Sequence, residues 1–236
     1  MVGLTTRKLV GDQLSSFDAV AANYEELVTK NVWITGESSD YFAAYKAAYI
    51  ARRIAPGKGA KILDYGCGVG LLSGHLKKTL ANTQIDGFDV SSESVQRISE
   101  DLTKQGTFSS TLDRLGHDYD VVVISNVMHH VRPADRQALV LEAGSRLGAG
   151  GRLVIFEHNP INPLTRWAVS ECPFDEDAIL LRARETRGYI QANLRFLWRD
   201  YIVFFPRWLA WFRTMEQVLR ACPLGAQYAV VAERHL

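Results

Sequence analysis

The sequence predicts an α/β protein in which helices cover both faces of one doubly wound, largely parallel sheet. Short apolar runs recur along the 236 residues, and each is followed by Gly, Asp or Asn and then by a pattern with helical periodicity. Such runs are typical of buried parallel strands in successive β-α units. The four clearest runs are residues 61–65, 84–90, 119–125 and 152–157.

The composition favours one hydrophobic core and a net charge close to zero. Hydrophobic residues make up 47% of the chain and charged residues 22%, which is typical of a single globular domain of this length. The 27 basic and 26 acidic residues are spread along the chain and give a formal net charge of +1. Because no basic field gathers polyanions, nucleic acid is not an expected partner.

The cysteines and the hydropathy pattern bear on the cellular compartment. Cys67, Cys172 and Cys222 are far apart and form no CxxC motif, so they predict neither a disulfide framework nor a zinc cluster. No segment approaches the roughly 20 uncharged apolar residues that cross a bilayer. Residues 1–10 lack the apolar stretch of a secretory signal. We therefore expect a cytoplasmic protein without stable membrane insertion.

The rhythm of strands begins only after about fifty residues, which predicts a helical cap over residues 1–55 and a main domain over residues 56–236. Within the cap, residues 40–54 have helical periodicity, and Ser39 or Asp40 is available as the N-cap. Three aromatic side chains are expected on one face of this helix: Phe42, Tyr45 and Tyr49.

The loop after the first run, Asp64-Tyr65-Gly66-Cys67-Gly68-Val69-Gly70, places three glycines within five positions. A strand, a glycine-rich turn and a helix starting near Leu71 bring backbone N–H groups and a positive helix end to an open surface. This arrangement predicts a nucleotide-like ligand. The dinucleotide fingerprint GxGxxG needs a small residue at the position of Leu71, so a nicotinamide-dependent oxidoreductase is only the alternative.

Four landmarks together resemble the class I S-adenosylmethionine (SAM) dependent methyltransferases. Asp64 with the glycines that follow it resembles motif I of that family, and Asp89 at the end of the second run stands where an acid accepts both ribose hydroxyls. The stretch 119–131 resembles the fourth strand with its turn, and 150–155 the fifth strand. The resemblance covers roughly residues 60–160. The later stretches 157–166, 172–181 and 223–228 look like those of a bacterial group of small-molecule methyltransferases, type 11/12-like.

The resemblance implies a Rossmann-like, seven-stranded mixed sheet with an antiparallel last strand and an N-terminal helical cap. Asn23-Tyr24-Glu25-Glu26 and the stretch 36–46 are similar to a cap that closes over the methionine end of SAM, with Tyr41 and Lys46 near its carboxylate. Thr111 and Leu112 stand where the adenine is held, and Asp113 is the competing assignment. The implied cofactor-binding residues are Asp64, Gly66, Cys67, Gly68, Asp89, Val90, Thr111, Leu112, Asn126, Tyr41 and Lys46.

Two clusters of acid-base residues are candidates for catalysis. His129 and His130 follow the fourth run, and Glu157 and His158 follow the fifth, so both clusters belong at the ligand edge of the sheet. Adjacent helical residues point about 100° apart, so at most one of the first pair faces the substrate, and His130 is slightly favoured. Glu157 is equally an acceptor for backbone N–H groups of the turn that follows, which leaves His158 as the better acid-base candidate of its pair.

No metal site is expected, because the four candidates form sequence-adjacent pairs without the i, i+4 spacing that presents two ligands on one helical face.

The resemblance implies methyl transfer from SAM to an oxygen or nitrogen of a small organic molecule, such as a secondary metabolite, a sugar or a quinone-like acceptor. Residues 158–185 form an insertion that is expected to select the acceptor. A catalytically inactive SAM-binding or assembly subunit is a further alternative. The aromatic stretch 195–220 is expected to cover the sheet edge or a homodimer contact, with a membrane surface as the weaker alternative.

Overall fold

The computed structural model describes residues 37–172, 175, 177–190 and 194–235. In this part of the chain seven strands form one sheet. The strands are β1 Lys61–Tyr65, β2 Gln84–Phe88, β3 Phe108–Ser109, β4 Tyr119–Ser125, β5 Leu147–His158, β6 Leu194–Ile202 and β7 Gln227–Arg234.

The strand order is β3-β2-β1-β4-β5-β7-β6, with β7 antiparallel to both of its neighbours and the other pairs parallel. The predicted doubly wound mixed sheet with an antiparallel last strand is therefore confirmed. The chain order reverses between β1 and β4, and the crevice at the carboxyl ends of these two strands is where such sheets bind ligands.

Helices pack on both faces of the sheet. The helices are α1 Ser39–Tyr49, α2 Leu71–Thr79, α3 Ser92–Gln96, α4 Glu100–Thr103, α5 Arg136–Ser145, α6 Pro163–Ser170 and α7 Ala183–Gly188. A π-helical turn, Ile50–Ile54, continues α1, and 3₁₀ turns span Leu112–Arg114, Met128–His130 and Arg207–Gln217.

The core lies in two clusters, one on each face of the sheet, because successive strand residues point to opposite faces. Ile62 and Val123 belong to the cluster that packs against α1 and α2. Leu63 and Val122 belong to the cluster on the other face, with residues of α5. All four side chains are fully buried, as the continuous apolar runs predicted.

Helix α1 differs from its prediction in two respects. Its N-cap is Ser38, whose side chain accepts the Tyr41 N–H, so the predicted cap at Ser39 or Asp40 is wrong. Its buried face also includes Lys46, whereas Phe42 and Tyr45 are only partly buried. The cap segment Asn23–Glu26 lies outside the described residues, and the domain boundary at residue 55 stays a prediction.

The C-terminal aromatic stretch also differs from its prediction. Pro206 precedes the 3₁₀ segment Arg207–Gln217, where Trp208 and Trp211 remain 73% and 74% exposed. These two rings therefore do not cover the edge of the sheet, and the homodimer contact stays a prediction. None of the helices in the described ranges has the length and apolarity needed to cross a membrane.

Candidate active site

The glycine loop after β1 is held against the end of β2 by the backbone. The N–H groups of Gly66 and Cys67 donate to the Phe88 carbonyl at 2.7 and 2.9 Å. Gly66 has a φ of +88°, and a Cβ at this position would lie 2.3 Å from Val127 Cγ2. Gly68 has a φ of +52°, and a Cβ there would meet no protein atom within 4 Å. The chain is thus tightly packed at the first glycine and open at the second.

Asp89 links the loop to β2. Its carboxylate accepts the Gly68 N–H at 2.8 Å and the Ser91 N–H at 2.9 Å. These two contacts orient the carboxylate toward the loop, and each carboxylate oxygen can accept more than one hydrogen bond. The structure therefore places the predicted acid beside the open glycine.

Cys67 and Val90 contribute apolar surface to the same region. Cys67 is 7% exposed, and burial raises the pKa of its thiol well above the usual range. Val90 packs against the core cluster around β4. Because the Cys67 N–H is already bonded to the Phe88 carbonyl, we expect this residue to contact a ligand by packing.

Asp64, at the carboxyl end of β1, is buried with one oxygen unsatisfied. Its Oδ2 accepts the Ser73 hydroxyl at 2.7 Å, whereas its Oδ1 has no hydrogen-bond partner among the described residues. Burial raises the pKa of this carboxyl to about 6. An unpaired carboxylate oxygen is costly inside a protein unless a ligand supplies a donor.

Helix α1 delivers two predicted cofactor residues to this edge of the sheet. Lys46 is 4% exposed and donates to the Ser125 hydroxyl at 2.9 Å, at the end of β4. Burial lowers the pKa of its ammonium to about 8, and the charges of Glu157 and Asp64 oppose this shift. The Tyr41 hydroxyl is buried without a hydrogen-bond partner in the described part of the chain, and the Arg213 guanidinium lies 4.4 Å from the centre of its ring.

Asn126 follows β4 in a left-handed conformation, with a φ of +56°. Its N–H donates to the Phe156 carbonyl at 2.9 Å, which fixes the turn, and its buried Oδ1 is unpaired within the described ranges. Two other unpaired atoms, Asp64 Oδ1 and Tyr41 Oη, belong to segments that meet at this edge. A fourth, Gln227 Oε1, lies at the start of β7, directly opposite His158 of β5.

The predicted adenine residues lie beyond β3. Thr111 is exposed, and its N–H and carbonyl both bond to the Ser109 hydroxyl at 3.0 Å. Leu112 is buried and its carbonyl accepts the Arg146 guanidinium, whereas Asp113 is exposed. These contacts do not discriminate between the two adenine assignments, and both stay predictions.

The catalytic candidates form one histidine cluster, which we define as His129, His130, Glu157, His158 and Asp175. Glu157 is fully buried; its Oε1 accepts the Met128 N–H at 2.7 Å and its Oε2 bonds to His129 Nδ1 at 2.6 Å. The backbone N–H that Glu157 binds is thus in the turn after β4, and not in the turn after β5 that the sequence suggested. The His129 ring lies 4.1 Å from that of His130 and 5.1 Å from that of His158, measured between ring centres.

Asp175 completes this cluster from the insertion after α6. Its Oδ1 lies 3.3 Å from His129 Nε2 and 3.5 Å from His130 Nε2. No local pattern in the sequence marks this residue, because it is one of three acids within Asp175-Glu176-Asp177. The sequence predicted only that the insertion at residues 158–185 would contribute to the acceptor site.

The charges within the cluster are strongly coupled. Burial alone would lower the pKa of His129, but Glu157 and Asp175 outweigh it and raise this pKa to about 9. Burial and the charge of His129 lower the pKa values of His130 and His158 to about 4. Near neutral pH, His129 is thus the charged ring between two carboxylates, and the other two rings are neutral.

Asn159 is a second residue that the sequence analysis did not identify. It is fully buried and its amide donates to the carbonyls of Pro223 and Gly225 at 2.9 and 2.7 Å. Its Oδ1 accepts the Ile161 N–H at 3.2 Å. These bonds fasten the insertion to the loop before β7, which positions the end of β5.

Part of this edge of the sheet is similar to a known protein family. A family model described as a methyltransferase domain matches residues 63–153, from β1 into β5. This part of the chain is similar to a methyltransferase domain. The match contains the glycine loop, Asp89 and the turn with His129 and His130.

Individual relatives agree with this assignment. A ubiquinone biosynthesis O-methyltransferase from Parvibaculum lavamentivorans is 30% identical over 112 residues, which cover 44% of this chain and 43% of that protein. The alignment thus spans less than half of the length of this relative.

Solved structures share the methyltransferase fold over most of the chain. Magnesium protoporphyrin IX methyltransferase from Synechocystis PCC 6803, solved with bound SAM, has a TM-score of 0.58 at 18% identity and covers 88% of this chain and 83% of its own. The [4+2]-cyclase SpnF has a TM-score of 0.58 at 16% identity and covers 81% of each chain. At these identities the likeness concerns the fold alone.

Proposed function

We propose that this protein transfers a methyl group from SAM to an oxygen or nitrogen of a small organic molecule. The observation that carries this proposal is a set of buried polar atoms without partners among the described residues, namely Asp64 Oδ1 and Asn126 Oδ1 at the carboxyl ends of β1 and β4, and Tyr41 Oη on α1. Unpaired buried polar atoms cost free energy, so a ligand with complementary groups is expected there.

The described residues fit SAM. When bound, SAM supplies an electrophilic methyl group on a sulfonium ion. The oxygens of Asp64 and Asn126 would accept hydrogen bonds from its ammonium group, and the Lys46 ammonium and the Tyr41 hydroxyl would meet its carboxylate. Asp89 would accept the ribose hydroxyls, and the open space at Gly68 allows close approach to the backbone.

The acceptor side of the site is proposed to be the histidine cluster. The protein mainly aligns the acceptor atom with the methyl group, and a hydroxyl or amine acceptor also has to lose a proton. Glu157 and Asp175 hold His129 between them, so His129 is a positioning residue. His130, with 19% of its side chain exposed, and His158 are the groups proposed to receive the proton.

Cofactor binding is the first test. Calorimetric titration of the full chain is expected to show one SAM per chain and no binding of NAD⁺ or NADP⁺. A chain that binds a nicotinamide nucleotide but no SAM, even at millimolar concentration, would instead be an oxidoreductase on a similar fold.

Methyl transfer is the second test. The full chain is incubated with methyl-labelled SAM and a panel of phenols, sugars, amines and a metabolite extract, and the labelled product is identified by mass spectrometry. Label on oxygen or nitrogen supports the proposal. SAM binding without transferred label on any compound would favour the inactive SAM-binding subunit.

The pH dependence of SAM affinity tests the role of Lys46. Because the pKa of this ammonium is lowered to about 8, it is charged below that pH and neutral above it. If the charge binds the carboxylate of SAM, affinity should be constant below pH 8 and fall by about tenfold per pH unit above it. Titrations between pH 6.5 and roughly pH 10 would measure this profile.

The Lys46→Met variant is the control for that profile, because it keeps an unbranched side chain only one atom shorter and has no titratable group. Its SAM affinity should be weaker at neutral pH and should lose the step near pH 8. A step of the same size in this variant would show that the titration belongs to SAM itself, which would remove Lys46 from the carboxylate site.

Removing the proton acceptor should lower turnover without affecting cofactor affinity. Once a methyl acceptor has been identified, kcat can be measured. His130→Ala or His158→Ala is expected to lower kcat by about 10²–10⁴-fold, the usual contribution of general acid–base catalysis. SAM affinity, measured by calorimetry, should stay within error of the wild type. The exposed His117, remote in sequence from the cluster, provides His117→Ala as a matched control. Normal turnover in both cluster variants would mean that the acceptor needs no base from these rings.

A further inference from the structure

Three side chains of the histidine cluster present ligand atoms to a common point. His129, His158 and Asp175 each offer one nitrogen or oxygen, and these atoms all lie within 4.8 Å of one another. The three residues come from separate segments, the turn after β4, the end of β5 and the insertion after α6. Folding thus brings together a His₂Asp set that no sequence spacing reveals.

The spacing suits direct coordination. His129 Nε2 and Asp175 Oδ1 are 3.3 Å apart. Two ligands at 2.0–2.1 Å from a tetrahedral ion are separated by roughly the same distance, about 3.3 Å. An ion could therefore be held by these two atoms almost without movement, and the ligand nitrogen of His158 lies within 4.8 Å of both.

A second, independent feature is the carboxylate behind His129. Metal-bound histidines usually donate the other ring N–H to a carboxylate or carbonyl group, which fixes the ring and its tautomer. Glu157 Oε2 occupies this place, 2.6 Å from His129 Nδ1, and its other oxygen is anchored by the Met128 N–H at 2.7 Å. With Nδ1 committed to Glu157, His129 Nε2 faces the point shared with His158 and Asp175.

We propose that His129, His158 and Asp175 bind a divalent first-row transition-metal ion, with Glu157 orienting the His129 ring. Imidazole nitrogens favour Zn²⁺, Co²⁺ and Fe²⁺, whereas Mg²⁺ and Ca²⁺ favour sites built from oxygen alone. Three protein ligands leave at least one coordination position open. With His158 bound to the ion, His130 alone would receive a proton from the acceptor. The sequence predicted no metal site because His129/His130 and Glu157/His158 are adjacent pairs. The proposed set takes one residue from each pair and adds Asp175.

The open position gives the ion a specific use. The site lies at the ends of β4 and β5, next to the proposed cofactor edge, so an oxygen atom of the methyl acceptor could occupy that position. This use rests on the proposed function and favours acceptors that carry a hydroxyl group. Binding of the ion does not rest on it, and it is measured without SAM.

The competing interpretation needs no metal. In it, His129 stays protonated and bridges Glu157 and Asp175 as a buried ion pair. The two interpretations differ in a direct observable, because only the metal site gives a stoichiometric complex with an added ion.

The test uses the full chain, freed of metal with a chelator, and Co²⁺ or Zn²⁺ alone as the probe. Calorimetry is expected to show one ion per chain, with little response to Mg²⁺, and Co²⁺ should give visible absorption bands of a nitrogen- and oxygen-bound ion. The proposal would be overturned if neither Co²⁺ nor Zn²⁺ forms a one-to-one complex with the chain. An intense cobalt–sulfur charge-transfer band would place the ion on a cysteine and would also overturn it.

Variants locate the ion. Asp175→Asn and His158→Gln are each expected to weaken Co²⁺ affinity by more than about 100-fold, and Glu157→Gln by about 10–100-fold with the stoichiometry kept. Asp177→Asn, at an exposed acid two positions beyond Asp175, is the matched control and should bind Co²⁺ like the wild type. Circular dichroism confirms that each variant is folded. Unchanged affinity in folded Asp175→Asn and His158→Gln, or equal losses in the two aspartate variants, would contradict the assignment.

The same preparations separate this inference from the proposed function. SAM titration of the chelator-treated chain tests the cofactor site without the ion, and Co²⁺ titration without SAM tests the ion site alone. Ion binding without SAM binding would support the metal site and contradict the methyltransferase proposal. SAM binding without ion binding would support the methyltransferase proposal and contradict the metal site.

Discussion

Asp89→Ala is expected to lose most of its SAM affinity in a chain that still folds. The Asp89 carboxylate stands at the end of β2 and holds the Gly68 N–H at 2.8 Å, beside the open glycine. The variant would lose charge-assisted hydrogen bonds to two ribose hydroxyls, each contributing about 1.5–3 kcal/mol. The expected loss of affinity is therefore about 10²–10⁴-fold, measured by calorimetry.

Two further variants make the Asp89 result specific. Asp89→Asn keeps one acceptor oxygen but has no charge, so its affinity should lie between those of the wild type and Asp89→Ala. Asp101→Ala changes an exposed acid on α4 and should leave SAM affinity unaltered. Wild-type affinity in Asp89→Ala would show that the ribose is held elsewhere, even if the methyltransferase fold is correct.

Much of the sheet could be predicted because its signals are local. The runs at 61–65 and 119–125 coincide with β1 and β4, and α2 begins at Leu71 as the glycine loop indicated. Strand β5 begins at Leu147, five positions before the predicted run at 152, because Gly148, Gly150 and Gly151 lower strand propensity and hide the pattern. Strand β3 has only two residues, which is too short for any periodicity to appear.

Only those site residues that lie at the ends of strands could be predicted from the sequence. His129 and His130 were found because they follow β4, and Glu157 and His158 because they end β5; parallel strands end at the same edge. Asp175 and Gln227 reach that edge from distant segments, through packing that no local pattern encodes. Lys46 was suggested by family resemblance, and its burial beside Ser125 became visible only once α1 was packed on the sheet.

Substitution by alanine is expected to have different effects at two glycines of the loop, Gly66 and Gly68. Gly66→Ala would place a methyl group 2.3 Å from Val127 Cγ2 at a φ of +88°, so both the backbone and the packing oppose it. Left-handed strain contributes about 1–2 kcal/mol and overpacking about 1–3 kcal/mol. The free energy of unfolding should therefore fall by roughly 2–5 kcal/mol, measured by urea denaturation.

Gly68→Ala is the matched comparison, because its added methyl group would meet no protein atom within 4 Å. Only the backbone term of about 1–2 kcal/mol applies, so this variant should be clearly more stable than Gly66→Ala. Its methyl group would project into the space assigned to the cofactor, so SAM affinity should fall although the fold is kept. A Gly68→Ala chain that binds SAM like the wild type would show that the cofactor does not approach this glycine. Equal stability of the two variants would mean that Val127 can move aside, and the tight packing at Gly66 would then not be what fixes the turn.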